Sequence, residues 1–109
     1  IYKFFIDNLK AHDLPKISKK FNHCPFSLPI ITENSTKKQK ALDFCSKNSI
    51  ETRPFVSGNL LRQTSLKKFA DFKIFKNSNH LQDSCFYVGL HPKVELKKVY
   101  SLTRFLNTL

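Results

Sequence analysis

A chain of 109 residues with 40% hydrophobic content, eleven Phe and three Tyr has the size and composition of one packed domain, which excludes a disordered tail. Nineteen basic against eight acidic residues give a net charge of +11, a balance open to nucleic acid, an anionic membrane or phosphorylated metabolites as partners. Only three of the basic residues are arginines and the lysines are spread evenly, which reads as compositional background; with no stretch near the ~20 apolar residues of a membrane span, neither nucleic acid nor membrane is expected as a partner.

The opening, IYKFFIDNLK, sets Ile1, Phe4, Phe5 and Leu9 on one helical face with no capping residue in front. With no Met anywhere in the chain, it reads as the end of a helix cut from a longer protein. Residues 14–22 form a polar connector containing Pro15. In CPFSLPIIT, Phe26, Leu28 and Ile30 alternate, predicting a strand over 24–32, and Pro25 and Pro29 place it at an edge. Asn34 or Ser35 caps a predicted helix over 36–47, with Ala41, Leu42 and Cys45 on its apolar side and Asn48 ending it in the left-handed region. A short strand over 50–53 stops at Pro54, which cannot donate to a ladder.

Residues 55–64 are the least regular stretch, and Gly58 and Asn59 there are the types most tolerant of positive φ. Short helices are predicted over 65–70 and over 78–84, the second capped by Asn77 or Ser78. CFYVGL reads as a strand by its aromatic and β-branched content. In the terminal segment Leu96, Val99, Tyr100 and Thr103, with Leu102 or Leu106, trace the stripe of an amphipathic helix. This order predicts an α+β domain whose small, largely antiparallel sheet is covered by helices on one face. Cys24, Cys45 and Cys85 are odd in number and widely spaced, as suits reduced core thiols, and no CxxC or HxxxH spacing predicts a metal site. The N-terminus is polar within ten residues and is not a signal peptide, so a cytoplasmic location is expected.

Three segments in order, CPFSLPIITENSTKKQKALDFCSKNSIETRP, FVSGNLLRQ and NSNHLQDSCFYVGLHP, resemble the C-terminal domain of the DegT/DnrJ/EryC1/StrS family of sugar aminotransferases, most of all its 3-dehydratase branch. The matching motifs are ETRP at the end of a strand, the glycine turn SGNLLRQ, and an aromatic strand running into Gly-x-His-Pro. Thr64, Cys85 and Leu90 depart from that pattern, standing where proline, glycine and asparagine are usual. The resemblance covers residues 24–109 and implies the small domain of a fold-type-I enzyme. Residues 1–23 would then be the end of an inter-domain helix and its connector, with the large domain outside the chain. It implies a homodimer, pyridoxal or pyridoxamine phosphate held by that large domain and not by this chain alone, and a nucleotide-linked keto-deoxy sugar as substrate, in cell-surface polysaccharide or lipopolysaccharide sugar biosynthesis. A Lys or His in the large domain would decide between amination and loss of the 3-hydroxyl.

Candidate substrate contacts follow from these motifs. Arg53 and Arg62 carry planar forks suited to a nucleotide diphosphate, or else form structural ion pairs. Gly58 and Asn59, flanked by Ser57 and Gln63, would let backbone amides approach a ligand, or simply make a turn. His91, before Pro92, would bond sugar or phosphate groups, or serve helix entry. No catalytic residue is expected in this chain; His12, His23 and His80 read as surface or capping residues. Two rival readings are a free-standing basic module that binds RNA or another polyanion, and an inactive truncated protein.

Overall fold

A computed structural model describes residues 1–10 and 24–109; the connector over 14–22, His12 and His23 lie outside them. Three strands form one antiparallel sheet in the order β1 (Ser27–Ile31), β3 (Cys85–Gly89), β2 (Thr52–Pro54). Leu28 faces Val88 and Ile30 faces Phe86, and all four are buried on the side covered by α2 (Ser35–Lys47) and α4 (Leu96–Leu106). α1 (Tyr2–Asn8) lies against α4 and sends Phe5 into the same core, with Leu9 just beyond it. Fully burying a side chain such as Phe86 stabilises by roughly 1.5–3 kcal/mol. The expected α+β architecture is what the chain adopts.

Several expectations shift at element ends, each for a local reason. β1 starts at Ser27, not at residue 24: the Phe26 carbonyl still accepts from the Leu90 N–H, but the Phe26 side chain is 88% exposed, past the cover of the helices. The Asn34 side chain caps α2, accepting from the Lys37 N–H, as the sequence predicts. The left-handed residue at the other end is Ser49 (φ 52), not Asn48 (φ −104). There the Ser49 and Ile50 N–H groups reach back to the Ser46 and Cys45 carbonyls, the paired closure of a Schellman motif, which puts the positive φ one residue later.

β2 starts at Thr52, not at residue 50, and takes in Pro54 as its last residue. Phe26, and Thr32 with its partner Ser84, fix the hydrogen-bonded pairs of β1 and β3, so the even-numbered residues of β3 bond toward β1 and Tyr87 bonds toward β2. Pro54, opposite Phe86, therefore has its donorless nitrogen facing away from the sheet.

The helix predicted over 65–70 is a run of turns instead, closed by i to i+3 bonds such as Phe69 N–H to the Leu66 carbonyl. Asp71 caps a 3-10 turn, Phe72–Ile74, that feeds straight into α3 (Lys76–Ser84), so α3 begins before Asn77 and Ser78 and uses neither as its cap. In α4 the buried stripe is Val99, Leu102, Thr103 and Leu106; Leu96 and Tyr100 are more than half exposed, and Tyr100 meets Phe4 edge-on at 4.6 Å. Cys45 and Cys85 are the buried thiols expected, with burial pushing each up to about 11, but Cys24 is exposed.

Candidate functional site

The second face of the sheet, away from α2 and α4, carries the candidate cleft. Strand alternation turns Arg53, Tyr87 and Gly89 to this side, with Ser27 and Pro29 of β1 beside them. Phe55 stacks on Tyr87 with ring centres 5.6 Å apart. Arg53, Tyr87, Ser27, Phe26 and Val56 line an open cleft of about 600 Å3. Phe26 and Val56 are 88% and 70% exposed, an apolar surface of the kind that marks a contact site. Burial raises the Tyr87 phenol above its ordinary range.

Arg53 donates through Nε and Nη2 to one Glu51 oxygen, at 3.0 and 2.7 Å. Both side chains are three-quarters exposed, so this pair is worth little and a phosphate could take the place of the carboxylate. His91 borders a neighbouring cleft of about 320 Å3 between the sheet and α4, which shares Glu51, Val88 and Gly89 with the first. Its Nδ1 accepts from the Lys93 N–H at 3.1 Å, which fixes the turn into α4 and makes it a helix-entry residue by geometry. Arg53 and His91 thus stand at the same end of the sheet.

The loop over 57–63 is tied to α3. Ser57 and Gly58 hold the positive φ angles, 65 and 52, whereas Asn59 is extended at φ −86. The Asn59 side chain is 4% exposed and fully occupied by its own chain: its Nδ2 donates to the Phe72 carbonyl and to Asn79 Oδ1, and its Oδ1 accepts from the Leu61 N–H. The Asn59 backbone N–H donates to Gln82 Oε1 at 2.8 Å. A Cβ on Gly58 would stand 2.8 Å from that same oxygen, so the close approach that glycine permits is to α3.

Arg62 meets Asp83 end on, through Nη1 and Nη2, adds an Nε bond to Asn79, and lies over the Phe72 ring. The hydrogen bonds hold Asp83 below the usual carboxylate range and raise Arg62. Ser57 and Gln63 are exposed on the outer side of the loop. The seven candidate residues therefore fall into two groups, Arg53 with His91 at the sheet end and the loop residues against α3, joined through Val56 on the cleft wall.

Sequence reasoning missed Glu51, Tyr87, Asn79, Gln82 and Asp83. Asn79, Gln82 and Asp83 have the three- and four-residue spacing of one helix face, but nothing in the sequence pairs that face with the loop. Among the described residues no group of three His, Cys, Asp or Glu is placed to hold a metal ion, and no helix is long and apolar enough to cross a membrane.

A three-stranded antiparallel sheet with helices on one face and an open, arginine-bearing cleft on the other is a small α+β domain, and comparison with known proteins finds its likeness among 3-dehydratases of GDP-linked keto-deoxy sugars. In sequence the chain is similar to the GDP-4-keto-6-deoxy-D-mannose 3-dehydratase of Escherichia coli O55:H7 (strain CB9615 / EPEC), 26% identical over 100 residues that make up 86% of this chain and 26% of the dehydratase. Its fold matches the crystal structure of a GDP-4-keto-6-deoxymannose-3-dehydratase with a trapped PLP-glutamate geminal diamine, with a TM-score of 0.74 and 20% identity over 96% of this chain and 29% of that one. No protein-family profile matches the chain. It spans about a quarter of the length of the curated dehydratase it resembles.

The residues described here do not fit a covalent anchor for pyridoxal phosphate. Such a lysine must be desolvated, yet no described lysine is buried. The half-buried ones are engaged: Lys37 with Glu33, Lys38 with the Gln82 carbonyl, and Lys98 with Glu95 and the Ser49 carbonyl.

Proposed function

We propose that this chain is the small, sugar-orienting domain of a pyridoxal-phosphate-dependent enzyme that removes the 3-hydroxyl of a nucleotide-linked keto-deoxy sugar. The observation that carries the reading is the similarity to a GDP-4-keto-6-deoxy-D-mannose 3-dehydratase across 86% of the chain. The same similarity favours dehydration over amination. On this reading the enzyme is a cytoplasmic homodimer serving cell-surface polysaccharide or lipopolysaccharide sugar synthesis, and a large domain holds the pyridoxal or pyridoxamine phosphate, which supplies the electron sink for the reaction.

The open sheet face would lie over the substrate. Arg53 would exchange Glu51 for a diphosphate oxygen, with Ser57, Gln63 and the outer side of the loop toward the sugar and His91 at the rim. Arg62, Asn59 and Gly58, tied to α3, would act by holding that loop in place. Apolar Phe26, Val56 and Tyr87 would seat against the large domain and exclude water. The test is to supply the full-length protein with GDP-4-keto-6-deoxymannose, pyridoxal phosphate and glutamate and to follow the sugar by mass spectrometry. Loss of the 3-hydroxyl oxygen supports the reading, gain of an amine moves it to the aminotransferases, and an unchanged sugar overturns it.

A further inference from the structure

Ser57 and Gly58 stand in the left-handed region one after the other. For Ser57, which has a Cβ, that conformation is costly and persists only where the surroundings impose it. The turn is closed by the Gly58 N–H on the Phe55 carbonyl at 3.2 Å, and the residue that follows it is held from α3. Gln82 Oε1 accepts the Asn59 N–H at 2.8 Å and sits directly beneath Gly58, where a Cβ would meet it at 2.8 Å. The Gln82 backbone is itself held, because its carbonyl accepts from Lys38 Nζ of α2 at 2.9 Å. The hold therefore runs from α2 through Gln82 to the turn.

We propose that Gln82 is a positioning residue: by accepting the Asn59 N–H from behind, it sets the Ser57–Gly58 backbone so that the outer side of the loop faces the nucleotide-linked sugar. This inference rests on the reading above that the loop borders the substrate. Gln82 touches no substrate on this arrangement; it acts through the turn alone.

The test uses the full-length protein with two replacements. Gln82→Met keeps the length of the side chain and removes the acceptor, and Gln82→Glu keeps an acceptor oxygen in the same place. Amide hydrogen exchange at Asn59, the melting temperature, and kcat and KM for GDP-4-keto-6-deoxymannose are measured for each. Gln82→Met is expected to speed Asn59 exchange about tenfold and raise KM about tenfold, the scale of one hydrogen bond, with kcat near that of the parent and the melting temperature lower by only a few degrees. Gln82→Glu is expected to restore both.

An active Gln82→Met enzyme with parental KM overturns the inference, as does a KM raised equally by both replacements. A parent protein that leaves the sugar unchanged sinks the substrate reading instead. In that case Asn59 exchange still decides whether Gln82 holds the turn: acceleration by Met with recovery in Glu upholds it, and unchanged exchange overturns it.

Discussion

Arg62 and Asp83, twenty-one residues apart in the chain, meet as two parallel hydrogen bonds, Nη1 to Oδ1 at 2.6 Å and Nη2 to Oδ2 at 2.9 Å. This fork ties the glycine loop to α3. With the side chains 28% and 48% exposed, solvent screens the pair, and it is expected to stabilise by about 0.5–1 kcal/mol. Arg62→Lys keeps the charge but loses the fork, so it should lower the melting temperature by a few degrees in the folded chain. Parental melting together with a KM raised about tenfold would instead make Arg62 a direct substrate contact.

The same pair has a pH signature. Asp83 titrates below its ordinary range when folded, first because of the hydrogen bonds from Arg62. A carboxylate depressed in the folded state binds its proton more readily when unfolded, so its contribution is present above the ordinary carboxylate range and is lost as pH falls through the folded value. Stability should fall more steeply below about pH 4 in the parent than in Asp83→Asn, as followed by chemical unfolding at stepped pH. Equal slopes would show that the ion pair adds nothing.

The two glycines should respond in opposite ways. Gly58 has φ 52 and its missing Cβ would press on Gln82, whereas a Cβ on Gly89 meets nothing within 4 Å. Gly58→Ala is therefore expected to cost roughly 1–3 kcal/mol, from the left-handed backbone and the displaced acceptor. Gly89→Ala should stay within about 0.5 kcal/mol of the parent. Thermal melting of the two variants side by side checks the contrast.

Thiol labelling separates the cysteines. Cys24 is exposed, while Cys45 and Cys85 are buried and pushed up to about 11, far from the thiolate form that reacts. A chromogenic disulfide at neutral pH should titrate one thiol in the native protein and all three in denaturant. Prompt native reaction of two or three would contradict the packing of α2 and β3.

Asn107 links the two ends of the described structure. Its Oδ1 accepts from the Lys10 N–H at 2.9 Å and its Nδ2 donates to the Asn8 carbonyl at 2.8 Å, which holds the end of α1 against the end of α4. Asn107→Ala should destabilise by about 1–2 kcal/mol and speed hydrogen exchange at Lys10 before it affects β3. Unchanged Lys10 exchange would show that the Phe5 packing alone fixes α1.

Periodicity and turn chemistry made most of the fold legible. The alternation of Leu28 with Ile30, the Asn34 cap and the stripe of α4 are local signals, and each corresponds to an element of the structure. Three motifs made the resemblance to a keto-deoxy-sugar 3-dehydratase legible. The loop's attachment was not legible, because Asn59 to Gln82 and Arg62 to Asp83 join residues more than twenty positions apart, and spacing along a chain does not say which helix face a turn will meet. Asn59 shows the consequence: its type tolerates positive φ, yet it is extended because its side chain is used up in buried hydrogen bonds.

Both outer strands carry a proline whose ring takes the place of an outward-pointing donor. Pro29, opposite Tyr87, and Pro54, opposite Phe86, occupy the wide pairs of the register, where backbone nitrogens point away from β3. An extra strand could find only a broken row of donors on either side, so the sheet resists growth by edge pairing into larger β-assemblies. A partner is left with the broad side of the sheet, across Phe26, Tyr87 and Val56, as its approach. Replacing either proline by threonine would reopen an edge, and self-association at high concentration would then be its measurable sign.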